Sequence, residues 1–126
     1  MPIKRILCVD DDESTRELLT TMLNFSALEA VSAPSVEEAL RKIESEKFSL
    51  YILDGQMPGV PGLSLCEQIR ELDKDTPIII FSGRARQTDL DAGMLAGANA
   101  YLVKPDASNL IDTVKRLLED KRDTSL

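Results

Sequence analysis

Histidine is absent from the 126 residues of this chain, which removes the commonest general base and the commonest metal-binding side chain. Cysteine occurs twice, at Cys8 and Cys66, and no CxxC spacing is present. Neither a disulfide framework nor a thiolate metal site is therefore expected. Cys8 falls in a strand-like run and Cys66 in a helical one, and both read as small buried hydrophobes suited to a reducing cytoplasm. Apolar runs reach only four or five residues, far short of the roughly 20 that span a membrane, and the N-terminus carries no signal-peptide core. Positive charge is also scarce. Fifteen Lys and Arg stand against 22 Asp and Glu, for a net charge of −7, which argues against direct binding to nucleic acid or anionic membrane.

What is present fits one soluble domain. Hydrophobic residues make up 43% of the chain, enough for a real core in a domain of this length. Apolar runs alternate with helical stripes, without repeats, low-complexity stretches or an obvious linker. Residues 6–9 form a continuous apolar run, as a strand buried on both faces should. Over 13–25, Leu18, Leu19, Met22 and Leu23 share one helical face. Leu28 to Ala33 is a weaker strand that suits a sheet edge. Ser35 and Glu38 form a capping box, after which Val36, Ala39, Leu40 and Ile43 recur at helical spacing. Residues 49–53 read as a strand, Gly55 to Gly62 as a loop, and Leu65, Cys66, Ile69 and Leu72 as the third helical stripe. Pro77 opens a fourth strand. Leu90, Met94 and Ala98 mark a fourth, thinner helix flanked or interrupted by Gly83, Gly93 and Gly97. Residues 100–103 give a fifth strand, and Leu110, Ile111, Val114, Leu117 and Leu118 trace the last helix. A polar tail follows from about Glu119 to Leu126. Strands separated by helices imply right-handed crossovers and a parallel sheet covered on both faces.

Four of the strands end in polar residues. Ile6 to Val9 ends in Asp10-Asp11, Tyr51 to Leu53 in Asp54, Ile78 to Phe81 in Ser82, and Tyr101 to Val103 in Lys104-Pro105. Open parallel sheets bind ligands beyond the carboxyl ends of their strands. Side by side, these ends gather three carboxylates, a hydroxyl and an ammonium. Crowded carboxylates repel, and a divalent cation relieves the repulsion. The cluster looks suited to magnesium and a phosphoryl group. Asp12, beside it, is expected to cap the first helix.

Val9-Asp10-Asp11, Asp54-Gly55-Gln56-Met57-Pro58 with Gly62, Ser82-Gly83 and Tyr101-Leu102-Val103-Lys104-Pro105, in that order, resemble the receiver domains of two-component response regulators. The resemblance covers almost the whole of residues 1–126. It implies an α/β, doubly wound, flavodoxin-like or CheY-like fold: one five-stranded parallel sheet of order 2-1-3-4-5 with five helices. It implies a signalling switch, not a turnover enzyme, in which Asp54 attacks phosphorus and becomes an acyl phosphate. By the family pattern Asp11 ligates Mg2+ directly, Asp10 mostly through water, and Asp54 and the backbone carbonyl of Gln56 complete the site. Magnesium tolerates few protein carboxylates and keeps several waters. Lys104 and Ser82 would meet the phosphoryl oxygens, and Ser82 and Tyr101 would relay the change. The family usually holds the Lys104-Pro105 bond cis.

Some positions depart from that pattern. Gly55 stands where an aliphatic residue is usual, Gly83 where alanine is frequent, and Asp106 where phenylalanine is frequent. Asp106 reads as a cap for the last helix. Arg84 and Arg86 lie just beyond the site and read by default as solvated.

Two other classes compete. A haloacid-dehalogenase-type phosphohydrolase would use Asp10-x-Asp12-x-Ser14, but it has no acidic pair after the lysine and no use for Asp54. A flavodoxin-like cofactor binder needs a hydroxyl-rich phosphate loop where this chain has three aspartates. The resemblance implies a histidine kinase or histidine phosphotransfer protein, or a small donor, as the source of the phosphoryl group. With no histidine here, a phosphohistidine must come from another molecule. The face of the fourth helix, fifth strand and fifth helix is expected to change, and it is a candidate surface for an output partner or a homodimer.

Overall fold

The computed structural model describes residues 3–57 and 63–123, with side chains through 119. Pro58 and Gly62 of the second motif lie outside the described residues. Five strand–helix units follow one another: β1 (Arg5–Val9), α1 (Glu13–Phe25), β2 (Glu29–Ala33), α2 (Val36–Ser45), β3 (Leu50–Leu53), α3 (Ser64–Leu72), β4 (Ile78–Ser82), α4 (Gln87–Ala96), β5 (Ala100–Val103) and α5 (Ala107–Asp123). The strands form one parallel sheet in the order β2-β1-β3-β4-β5. This is the expected doubly wound architecture, with the weakest strand, β2, at an edge.

Alternation within the apolar runs explains the two covered faces, because successive strand side chains point to opposite sides. Ile6, Cys8, Leu50, Ile52, Ile79 and Phe81 pack with Leu19 and Leu23 of α1 and with Leu110, Ile111, Val114 and Leu118 of α5. Leu7, Val9, Tyr51, Leu53, Ile78 and Ile80 pack on the other side with Ala39 of α2 and with Leu65, Cys66 and Ile69 of α3. A run that looks uniformly apolar therefore serves two cores at once. Burial of Ile6, Leu7, Leu50, Ile78, Ile79 and Ile80 is complete, and each removes about 1.5–3 kcal/mol worth of apolar surface from water. Both cysteines are buried and free. Burial pushes the Cys8 thiol up to about 12 and the Cys66 thiol up to about 11, so both stay protonated.

Three residues expected on inward helical faces are instead exposed: Leu18 at 46%, Leu72 at 68% and Met94 at 49%. In α1 the seam is Leu19 and Leu23, and Leu18 sits about 100° around from Leu19. Leu72 is the last residue of α3, past the Leu65-Cys66-Ile69 contact. In α4 the residue turned to the sheet is Gly93, which displaces Met94 to the rim. Ala98 is buried but lies beyond α4, which Gly97 ends in the left-handed region at φ 115°.

Caps fall where the sequence puts them. Asp12 accepts hydrogen bonds from the Thr15 amide (3.1 Å) and hydroxyl (2.7 Å). The Ser35 hydroxyl accepts from the Glu38 amide at 3.2 Å, which is one half of the expected capping box, while the Glu38 carboxylate lies 3.5 Å from Arg41. Asp106 accepts from the Asn109 amide at 3.2 Å. Helix α5 carries on through Asp123, so residues 119–123 of the expected polar tail have helical backbone.

Candidate functional site

Register aligns the strand ends. Val9 pairs with Leu53, Leu53 with Ile80, and Ser82 with Val103. Asp10, Asp54, Ser82 and Lys104 therefore emerge together at the carboxyl edge of the sheet. One carboxylate oxygen each of Asp10, Asp11 and Asp54 lie within 4.8 Å of one another. Asp10 and Asp54 are 2% and 9% exposed, and Asp11 is open to solvent.

Lys104 spans the group. Its Nζ donates to Asp10 Oδ2 at 2.8 Å and lies 3.7 Å from Asp54 Oδ1, with the ammonium 5.9 Å from the centre of the Phe81 ring. The Lys104-Pro105 bond is cis. Asp10 is held further by the Asp12 amide on Oδ1 at 2.9 Å, and its carbonyl accepts from Arg16 at 2.8 Å. Asp54 Oδ1 accepts from the Gln56 amide at 3.1 Å. Asp54 Oδ2 accepts no hydrogen bond among the described residues.

Burial is the largest influence on the Asp54 carboxyl, and the charges of Asp10 and Asp11 add to it. The Gln56 amide and Lys104 oppose both, and the net effect raises its pKa to about 6. Burial alone would lower the Lys104 ammonium, but the hydrogen bond and charge of Asp10 outweigh it and raise its pKa. Half-buried charge of this kind marks a site candidate. Three hard oxygen donors close together also fit a small divalent cation such as Mg2+.

Ser82 is fully buried. Its hydroxyl oxygen accepts from the Arg84 amide at 3.2 Å, and the Tyr101 hydroxyl donates to the Arg84 carbonyl at 3.0 Å. One backbone residue thus links the two positions expected to act together. Arg84 is less free than its sequence reading suggests. With the Gln56 amide turned to offer its oxygen, the Arg84 guanidinium donates to it from Nη2 at 3.1 Å and from Nε. Sequence reasoning missed this pair, since nothing local links residues 28 positions apart. Arg86 stays exposed, and its amide donates to Asp89 at 3.3 Å.

Residues 6–115 match the model of the response regulator receiver domain. The chain belongs to this family. Among curated relatives, the response regulator MprA of Mycolicibacterium vanbaalenii is 39% identical over 94% of this chain and 51% of its own length. The alkaline phosphatase synthesis transcriptional regulatory protein PhoP of Bacillus subtilis is 37% identical over 81% of this chain and 42% of its own. The receiver chain thus spans about half the length of such relatives. Among solved structures, a CheY-like receiver domain protein from Methanospirillum hungatei superposes with TM-score 0.91 at 31% identity, covering 98% of this chain and 99% of that one. The response regulator TrrA of Thermotoga maritima, solved in complex with Mg2+-BeF, superposes with TM-score 0.82 at 39% identity, over 91% of this chain and 99% of that one. Among the described residues of this receiver, no helix is long and apolar enough to cross a membrane.

Proposed function

We propose that this receiver is a magnesium-dependent phosphoacceptor and that Asp54 is its nucleophile. The observation that carries the reading is the state of Asp54. Its carboxyl is held by Gln56 and Lys104 through Oδ1, while Oδ2 accepts no hydrogen bond among the described residues. An oxygen of Asp54 attacks phosphorus, the P–N bond of a phosphohistidine on a kinase or phosphotransfer protein breaks, and the freed imidazole takes a proton. Small donors such as acetyl phosphate would react by the same attack.

A carboxylate is a weak nucleophile, so the transferring group needs its charge neutralised. Bound by Asp10, Asp11, Asp54 and the Gln56 carbonyl, Mg2+ would supply positive charge at the phosphoryl oxygens. The Lys104 ammonium, already 3.7 Å from Asp54 Oδ1, supplies a second cation. The Ser82 hydroxyl, which now accepts from the Arg84 amide, turns its proton toward a phosphoryl oxygen. Tyr101, which shares Arg84 as a partner, then loses its present anchor, and the surface of α4, β5 and α5 follows. Two arrangements exchange, and phosphorylation shifts their populations through its different contacts in each. An output partner, or a second copy of the chain, would bind the altered surface.

The dehalogenase alternative is disfavoured by the same geometry. Asp10 is occupied on both oxygens by Lys104 and the Asp12 amide, and Asp12 is spent on capping α1. Borohydride reduction of protein treated with acetyl phosphate tests the assignment, because it converts an aspartyl phosphate to homoserine. Homoserine at position 54 is the expected result. Homoserine at position 10 or 12 would overturn it.

A further inference from the structure

Gly55 follows Asp54 and passes unusually close to Ser82. A Cβ built on Gly55 would meet Ser82 Oγ at 3.0 Å, Ser82 Cβ at 3.1 Å and Ile80 Cγ2 at 3.3 Å. Neighbouring strands ordinarily lie about 4.7–4.9 Å apart, so the chain leaving β3 has closed down over the end of β4. The closure leaves Ser82 with 0% exposure. Its hydroxyl rests between Gly55 and the Arg84 amide that donates to it.

We infer that Gly55 is a positioning residue: its missing side chain seats the Ser82 hydroxyl beside Asp54. The inference rests on the phosphoacceptor reading for its functional consequence and on the contact geometry for its structural one. Gly55 is bonded to the nucleophile residue, and a side chain on it would begin against the hydroxyl, so any adjustment there changes the separation of Asp54 and Ser82. With alanine at 55, either the strand end lifts and carries Asp54, or Ser82 retreats and loses the Arg84 amide. Both outcomes misalign a hydrogen bond to the phosphoryl group. Ile80 Cγ2 closes the third side of the space, and Ile80 itself is fully buried, which limits how far Ser82 can give. A side chain at this position would thus require Ser82 or the end of β3 to shift by a few tenths of an ångström from its present placement.

The test is a double-mutant cycle on the full chain, with Gly55→Ala, Ser82→Gly and the pair together. Two quantities are read: binding of the phosphoryl mimic Mg2+-beryllofluoride, and amide hydrogen exchange at Arg84 without any ligand. Gly55→Ala should weaken mimic binding about fivefold, the value of one ordinary hydrogen bond, and should speed exchange at Arg84. Ser82→Gly removes both nearest contacts of the new methyl, so in that background Gly55→Ala should have little further effect. Ser82→Ala keeps the Cβ contact and should leave part of the Gly55→Ala effect in place. A melting temperature alone would not separate these cases, because a merely structural clash lowers it without sensing the hydroxyl. Additive losses on mimic binding, or unchanged Arg84 exchange in Gly55→Ala, would overturn the inference. A wild-type protein that binds no mimic overturns the phosphoacceptor reading instead, and the Arg84 exchange still decides whether Gly55 seats the hydroxyl.

Discussion

The ring of Tyr101 fills the place where a side chain on Gly93 would begin. A Cβ there would meet Tyr101 Cδ2 at 2.8 Å and Ile80 Cδ1 at 3.1 Å. The one buried position of α4 is therefore a notch shaped to an aromatic ring on β5, and the placement of α4 depends on where that ring lies. Gly93→Ala would ordinarily stabilise an exposed helix by about 1 kcal/mol. Here it should destabilise by about 1–3 kcal/mol through overpacking. In a Tyr101→Ala background the ring is gone, and the same change should become neutral or stabilising. Chemical denaturation of the four proteins measures the cycle, and additive losses would show that ring and notch are independent.

Arg70 makes a second long-range connection. Its guanidinium donates to the carbonyls of Gly97 (2.8 Å), Asp73 (3.1 Å) and Thr76 (2.8 Å), and to Asn99 Oδ1 (2.8 Å). These bonds tie the end of α3 to the start of β4 and to the turn between α4 and β5. Arg70→Ala should cost about 2–4 kcal/mol, because several half-buried acceptors lose a charged donor together. Arg70→Lys should recover only a minor part, since a single ammonium cannot reach a forked set of acceptors. Urea midpoints of the three proteins check both statements, and full recovery by lysine would reduce the role of Arg70 to charge.

The parts of the molecule legible in sequence were those governed by short spacing. The apolar run Ile78 to Phe81 and the stripe of Leu110, Ile111, Val114, Leu117 and Leu118 are local patterns, and they appear in the structure as a buried strand and as the inward face of α5. The polar residues ending β1, β3, β4 and β5 were legible for the same reason, and the order of the sheet followed from the resemblance. Leu18, Leu72 and Met94 were misplaced because periodicity shows which residues share a face, not where that face ends. The notch at Gly93, the contacts of Arg70 and the Gln56–Arg84 pair were not legible because their partners come from other elements. Tyr101 could have pointed to Gly93 only once β5 and α4 were known to be in contact.

Stability without metal should depend on pH through Asp54. An aspartate in the unfolded chain ionises near pH 4, whereas in the folded protein this one ionises at about 6. Between those values the folded state binds more protons, so this group makes stability fall as pH rises from about 4 to about 6. The loss amounts to about 2 kcal/mol, and Asp54→Asn should lack it. Thermal melts of both proteins across that range, in chelator, test the sign. Parallel curves would mean that the Asp54 carboxyl is not held out of water as the geometry indicates.

Millimolar Mg2+ should raise the melting temperature at pH 7, because a ligand bound only by the folded state stabilises by mass action. It also relieves the repulsion among Asp10, Asp11 and Asp54, whose oxygens lie within 4.8 Å. Asp11→Asn should show a smaller rise. Equal shifts in the two proteins would place the cation elsewhere.

The most direct test of the account is the intact mass of the protein after incubation with acetyl phosphate, with and without Mg2+. The account predicts one added phosphoryl group in the presence of Mg2+, little without it, and none in Asp54→Asn. Equal labelling of Asp54→Asn would contradict it.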